Sequence, residues 1–276
     1  MPTLIKILTP EGLVDAPYTA DSLAEAAQYE PADGVYTVAN TFNTYDTLKL
    51  DAHFDRLEDS ARRANIPLKL DRKAIRYNLR MLIQVANYGS VRFRVTVPRE
   101  TPDNLILSIE PFTPLSPEFI AQGVRCITAV NSARNAAEAK TTDWMHARKA
   151  LQAAMPDGIY DTFLLDNEGY LLEGLGANFY AILNDTLHTA ASGVLKGISQ
   201  QIVLEIAPDI LAVKMEAVHI SDLSRLSEAF LTSSSRGIIP VVEIDGIPIG
   251  TGTIGIYTQK LLDAYQAWLE KHLLPL

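Results

Sequence analysis

In SVRFRVTV (90–97), Val91, Phe93 and Val95 share one face of an extended chain while Arg92 and Arg94 share the other. This is the period of a half-buried strand, and LILSIEPF (105–112) is strand-like as well. Upstream, two β-prone runs in GVYTVANTFNTYDTLKL flank the turn residues Asn43–Asp46 and predict a hairpin. DAHFDRLEDSARRANI then places Phe54, Leu57, Ala61 and Ala64 at helical spacing, and RKAIRYNLRMLIQVANYG is a second helical run ending at Gly89. The first third therefore reads strand, hairpin, helix, helix, strand, strand.

PFTPLSPEF (111–119) holds three prolines among polar residues and is the best linker candidate. Beyond it the pattern restarts with the strand VRCITAV, a helix over about 142–155, and a meander of DTFLLD, GYLLEG, NFYAIL and LHTAA. A helix from near Ile198, the strands EAFLTSS and IIPVVEI, and a terminal helix complete the chain. Strands and helices alternate irregularly in both halves, so the expected fold is two α/β or α+β domains divided near residue 115. A cleft between two domains is a common place for a small-molecule site.

The 276 residues are 47% hydrophobic and 21% charged, enough apolar side chain for a sizeable core. Lys and Arg total 24 against 33 Asp and Glu, a net charge of −9, which argues against sequence-independent nucleic-acid binding. Cys126 is the sole cysteine, so no intrachain disulfide is expected. Without a signal-like start or an apolar run near the ~20 residues that span a bilayer, the expected location is cytoplasmic.

Several chemistries lack support. Gly250-Thr-Gly252-Thr-Ile-Gly255 fits G-x-G-x-x-G, but no strand follows its helix to carry an acid, because the chain ends six residues past Glu270 in a helical pattern. The five histidines form no HExxH or short-spaced pair, and no second cysteine supports zinc. Neither a G-x-S-x-G elbow nor a phosphate-binding G-x-x-x-x-G-K-[ST] loop is present.

Three features remain. Lys140 follows a strand and a polar loop and precedes a helix that Thr142 can cap, a junction from which a lysine can enter a cleft. Glu173 ends the apolar run GYLLEG, and an acid there needs a cationic partner because burying it alone costs several kcal/mol. LKGIS (195–199) opens a helix whose first N–H groups can hold an anion, TSSSRG (232–237) is a hydroxyl-rich strand exit, and Arg56 offers a bidentate fork. Taken singly, each has a plain structural explanation: a solvated lysine, a salt bridge, a helix cap, a polar turn. Together they suit a phosphorylated cofactor with an aldehyde and a protonatable ring nitrogen.

The motifs DGVYTV, HFDRLEDSARR, AKTTDW, LLDNEGYLLEGLGANFYAI, LKGIS and EAFLTSSSRGIIPVVEIDG agree in order and spacing, from about residue 33 to the end, with one family. The chain resembles the fold-type IV pyridoxal-phosphate enzymes (aminotransferase class IV), which include D-amino-acid and branched-chain aminotransferases and aminodeoxychorismate lyase. The resemblance implies pyridoxal 5′-phosphate as cofactor, Lys140 as its Schiff-base lysine and Glu173 as partner of the pyridinium. It also implies Arg56, the Ile198–Ser199 backbone and Ser234 as phosphate ligands. The implied fold class is α+β, with a small N-terminal α/β domain over 1–114 and a larger, β-rich C-terminal α/β domain over 115–276, in a homodimer with the site at the domain cleft. There are departures: Gln200 stands where arginine is common, Thr37 where glutamate is common, and Trp144 where an aromatic hydroxyl often meets the cofactor's phenolic oxygen.

A transaminase and a lyase both need a carboxylate clamp. Arg92 and Arg94 are candidates, with Tyr36 on the facing hairpin and Ser235 beside the phosphate turn. The expected activity is amino-group transfer between an amino acid and a 2-keto acid. Alternatives are pyruvate release by an aminodeoxychorismate lyase, a cofactor-binding homologue that has lost catalysis, and, remotely, a nicotinamide-dependent enzyme.

Overall fold

The computed structural model describes residues 3–276. In chain order, the elements of the N-terminal part are β1 (Leu4–Thr9), β2 (Gly12–Asp15), α1 (Leu23–Ala26), β3 (Gly34–Phe42), β4 (Asp46–Leu48), α2 (Leu50–Arg63), α3 (Arg72–Ala86), β5 (Val91–Pro98) and β6 (Leu105–Pro111). Then follow α4 (Pro117–Gln122), β7 (Val124–Ala129), α5 (Thr142–Ala153), β8 (Asp161–Leu165), β9 (Leu171–Gly174), β10 (Asn178–Leu183) and β11 (Thr186–His188). The last are α6 (Ile198–Ile206), β12 (Ala212–Lys214), β13 (Glu228–Ser233), β14 (Gly237–Ile244), β15 (Ile247–Pro248), α7 (Ile256–His272) and β16 (Leu273–Pro275).

The chain divides into two compact units. The first comprises the chain through Pro114, Ala139–Ala147 and Lys271–Leu276; the second comprises Leu115–Glu138 and Arg148–Glu270. Two segments that the sequence analysis assigned to the C-terminal domain thus return to the first unit. Hydrogen bonding is the reason: Tyr36 N–H donates to the Lys140 carbonyl, and Leu273–Pro275 pair antiparallel with β4. The final residues, helical by pattern, are a strand.

The first unit is a seven-stranded sheet in the order β16-β4-β3-β5-β6-β1-β2. The turn after β3 reverses through Asn43 and Thr44 at φ 46° and 73°, conformations Asn tolerates better than most residues. The strand period does the sorting that the sequence requires. Val35 and Ala39 of β3 and Val91, Phe93 and Val95 of β5 face Phe54 and Leu57 of α2 and Ile75, Leu79 and Ile83 of α3 in one buried cluster. Tyr36, Arg92 and Arg94 point to the reverse face, in antiparallel register that pairs Val38 with Arg94 and Asn40 with Arg92.

The second unit is a nine-stranded sheet, mostly antiparallel, with parallel β11–β12, β14–β7 and β7–β8 pairs. Phe163, Phe179, Leu231, Ile239 and Val241 form its core, with the buried Cys126. At Gly250 and Gly252 the backbone adopts φ 57° and 72°, which makes the glycine-rich run a turn into α7. The first amides of α7 are taken: Glu228 accepts from Tyr257 N–H at 3.0 Å and Thr258 N–H at 2.6 Å. A helix start filled by its own carboxylate does not hold a dinucleotide phosphate, and the glycine run is structural.

Candidate active site

In the first unit, Lys140 is fixed from two sides. Its N–H donates to Ser60 Oγ of α2 at 3.1 Å, and its carbonyl accepts from Tyr36 N–H of β3 at 3.0 Å. Thr141 bridges Val35 next to it, and α5 begins at Thr142, whose buried hydroxyl has no partner. The Lys140 ammonium lies 4.6 Å from the centre of the Tyr36 ring, within cation–π range. Trp144 sits half-buried in the first turn of α5.

His53, Arg56 and Ser60 recur at i, i+3 and i+7 along one stripe of α2. Arg56 Nη2 donates to Thr37 Oγ1 at 3.3 Å, and Thr37 Oγ1 lies 3.0 Å from His53 Nδ1. Arg56 Nε is buried with no hydrogen-bond partner. Burial pushes the Arg56 guanidinium down to about 10, so this cation is poorly solvated. Burial, then the charges of Arg56 and Lys140, hold His53 well below the usual imidazole value. A desolvated fork with an unmet N–H calls for an anion, and a phosphate ester suits it.

In the second unit, Glu173 is buried at the end of β9 and is met twice. Oε1 accepts from Arg134 Nη1 at 2.9 Å, and Oε2 accepts from Leu195 N–H at 3.1 Å. The Leu195 carbonyl in turn accepts from Asn178 Nδ2 at 2.7 Å, and Asn178 pairs with Glu173 across the strands. Two residues past Leu195, Gly197 opens α6 with no side-chain cap. A side chain at Gly197 would run into Asn178 Oδ1, so the bare backbone is pressed against β10 there. Ser199 Oγ lies 2.9 Å from Tyr265 OH. Ser234 and Ser235 occupy the β13–β14 turn between Ser233 and Gly237, half-buried. Arg236 of that turn is committed to Ser233 Oγ and, at 2.6 Å, to Tyr160 OH.

The uncapped start of α6 and the orphaned Arg56 Nε both fit a phosphate, and the buried Glu173 fits a ring nitrogen that must stay protonated. Arg94 is committed within the first unit: its Nε donates to Glu30 Oε1 at 2.9 Å, Nη2 joins the same oxygen, and Nη1 donates to the Leu23 carbonyl at 2.8 Å. Facing inward beside Thr96, which also donates to Glu30, the Arg94 fork is spent on an internal ion pair. Arg92 keeps a half-exposed side chain, 3.5 Å from Glu110.

Arg134, His53 and Ser60 carry no local trace of these contacts, and Thr37 stands out only as a departure from the resemblance. The demand of Glu173 for a cation was legible, but its partner lies 39 residues away in a polar loop. Among the described residues no group of acids, histidines and cysteine could hold a metal.

The first unit holds a lysine beside a desolvated arginine, and the second a buried acid and an uncapped helix start; each is a kind of group that a phosphorylated, aldehyde-bearing cofactor needs. The family model for class IV amino-transferases matches residues 34–244, and the chain belongs to that family. It is a pyridoxal-phosphate-dependent transaminase. Among curated proteins it is 28% identical over 253 residues to a putative branched-chain-amino-acid aminotransferase of Methanocaldococcus jannaschii, covering 85% of this chain and 86% of that protein. It is likewise 28% identical over 254 residues to the D-alanine aminotransferase of Bacillus licheniformis, covering 86% and 88%. The fold matches that of a T.th. branched-chain amino acid aminotransferase solved with pyridoxamine 5′-phosphate at a TM-score of 0.81 and 20% identity, over 98% of each chain.

Proposed function

We propose that the enzyme moves an amino group between an α-amino acid and a 2-keto acid, with Lys140 as the residue that holds the cofactor and carries the proton. When bound, pyridoxal phosphate supplies an aldehyde that condenses with amines and a ring that accepts electrons. Arg56, the Ile198 and Ser199 amides and Ser234 would hold its phosphate, and Glu173 would keep its ring nitrogen protonated. The Trp144 indole N–H would donate to its phenolic oxygen. Lys140 would serve as general base at the substrate Cα and then as acid. Tyr36, Arg92 and Ser235 would meet the substrate carboxylate; Arg94 is withdrawn from this group.

The observation that carries the reading is the double anchoring of the Lys140 backbone by Ser60 and Tyr36, with its ammonium over the Tyr36 ring and close enough to His53 for its charge to act there. The relatives named above are transaminases for branched-chain amino acids and for D-alanine, which supports α-amino acids as substrates over aminodeoxychorismate. We also place the enzyme in the cytoplasm as a homodimer; among the described residues no helix is long and apolar enough to cross a membrane.

The test is a panel of L- and D-amino acids, following loss of the visible absorption of the holoenzyme and formation of the 2-keto acid. Lys140→Ala should bind cofactor without a borohydride-reducible link and lose turnover, whereas Lys149→Ala should keep both. A reducible link retained in Lys140→Ala, or pyruvate released from aminodeoxychorismate without a keto-acid acceptor, would refute the assignment.

A further inference from the structure

Two side chains of the first unit that the reaction above leaves unused, Thr37 and His53, are chained to Arg56. Thr37 of β3 is fully buried, and its hydroxyl has two partners, Arg56 Nη2 at 3.3 Å and His53 Nδ1 at 3.0 Å. A guanidinium only donates, so the Thr37 oxygen accepts from Arg56. Its single hydrogen then goes to His53 Nδ1, which fixes His53 as the neutral tautomer protonated at Nε2. The opposite arrangement would aim two donors at one oxygen and leave the hydroxyl hydrogen without an acceptor in a dry interior. Charge agrees with geometry: burial and the nearby charges of Arg56 and Lys140 disfavour a third cation at His53.

The arrangement is directional but does not neutralise. A carboxylate at position 37 would satisfy Arg56 by itself. A hydroxyl orients one arm of the fork and leaves both its charge and its buried Nε N–H for another acceptor. His53 and Arg56 stand one turn apart on α2, so the relay spans a single helix face and one strand, both fixed by the core.

We propose that Thr37 and His53 are positioning residues for Arg56: the neutral imidazole accepts from the Thr37 hydroxyl, the hydroxyl oxygen then holds one guanidinium arm, and the fork is set for the phosphate of the cofactor. This deepens the reading of Arg56 as a phosphate ligand and rests on it.

The test compares cofactor with and without its phosphate. The full-length chain, stripped of cofactor, is titrated with pyridoxal phosphate and with pyridoxal, and the ratio of the two dissociation constants is measured. General structural damage weakens both, whereas loss of Arg56 positioning weakens only the phosphorylated ligand. Thr37→Val and His53→Asn should each lower the preference for the phosphate by about tenfold, Thr37→Ser should restore it, and Arg56→Ala should lower it further. If Arg56→Ala loses the preference while Thr37→Val and His53→Asn keep it, the relay is overturned and the Arg56 reading stands. If Arg56→Ala itself keeps it, both fall. Should the valine variant fail to fold, nitrogen NMR of His53 in the parent chain decides: a neutral ring protonated at Nε2 supports the relay, and a charged ring or one protonated at Nδ1 overturns it.

Discussion

Glu173 and Arg134 form a buried ion pair, 2.9 Å between Oε1 and Nη1, with each side chain 5% exposed. Taking one partner from such a pair strands the other charge away from water, at a cost of about 3–5 kcal/mol. Arg134→Leu should therefore lower unfolding stability by about that amount in urea titrations. Adding Glu173→Gln should recover a large part of it. A loss below about 1 kcal/mol in the single variant would show that solvent reaches the carboxylate.

Arg92 and Arg94 lie two residues apart on one strand face, yet they should respond differently. Arg94 is locked to Glu30 and the Leu23 carbonyl, so Arg94→Leu should act on stability, again by about 3–5 kcal/mol. Arg92 is half-exposed, so Arg92→Ala should leave the melting temperature almost unchanged and raise KM for the amino acid by about tenfold. Steady-state kinetics beside thermal melts read out both. Equal effects on KM from the two variants would return Arg94 to the clamp.

Gly197 is required for space rather than for conformation, since its φ of −67° is open to any residue. A methyl group there meets Asn178 Oδ1, and Nδ2 of the same amide ties the loop by donating to the Leu195 carbonyl. Gly197→Ala should displace the start of α6 and weaken pyridoxal phosphate binding by about tenfold or more, with Asn178→Ala partly relieving the clash. Unchanged affinity in Gly197→Ala would mean that this backbone does not grip the phosphate.

His53 makes stability depend on pH in a defined direction. Its folded-state value lies well below the ordinary 6.5. Above 6.5 the imidazole is neutral folded and unfolded alike. As the pH falls through 6.5, the unfolded chain takes up a proton that the folded chain refuses, and stability drops until the folded value is reached. The slope from one such group is at most about 1.4 kcal/mol per pH unit. Urea midpoints at pH 7.5 and 5.5 should fall more steeply for the parent than for His53→Asn. Parallel lines for the two chains would place the charged imidazole comfortably in the fold.

Local pattern carried much of the architecture. The β3–β4 hairpin was legible because Asn43 and its neighbours break two β-prone runs, and α2 because Phe54, Leu57 and Ala61 fall on one stripe. The candidate site was legible where chemistry left a local trace: a lysine before a helix, an acid closing an apolar run, glycine and hydroxyl residues at turns. What escaped depends on partners distant in sequence. Arg94 looked like half of a surface pair until Glu30, 64 residues away, proved to fill its fork. The return of Leu273–Pro275 to β4 overrides a helical pattern through backbone pairing across more than 200 residues, which no periodicity records.

That last pairing bears on biosynthesis. The edge of the first sheet is supplied by Leu273–Pro275, with Leu276 N–H donating to the Tyr45 carbonyl at 2.7 Å. A ribosome making this chain releases β4 early and its neighbour only after the whole second unit, so the amino-terminal sheet waits through that synthesis for its closing strand. Until then β4 presents an open margin to any extended peptide nearby.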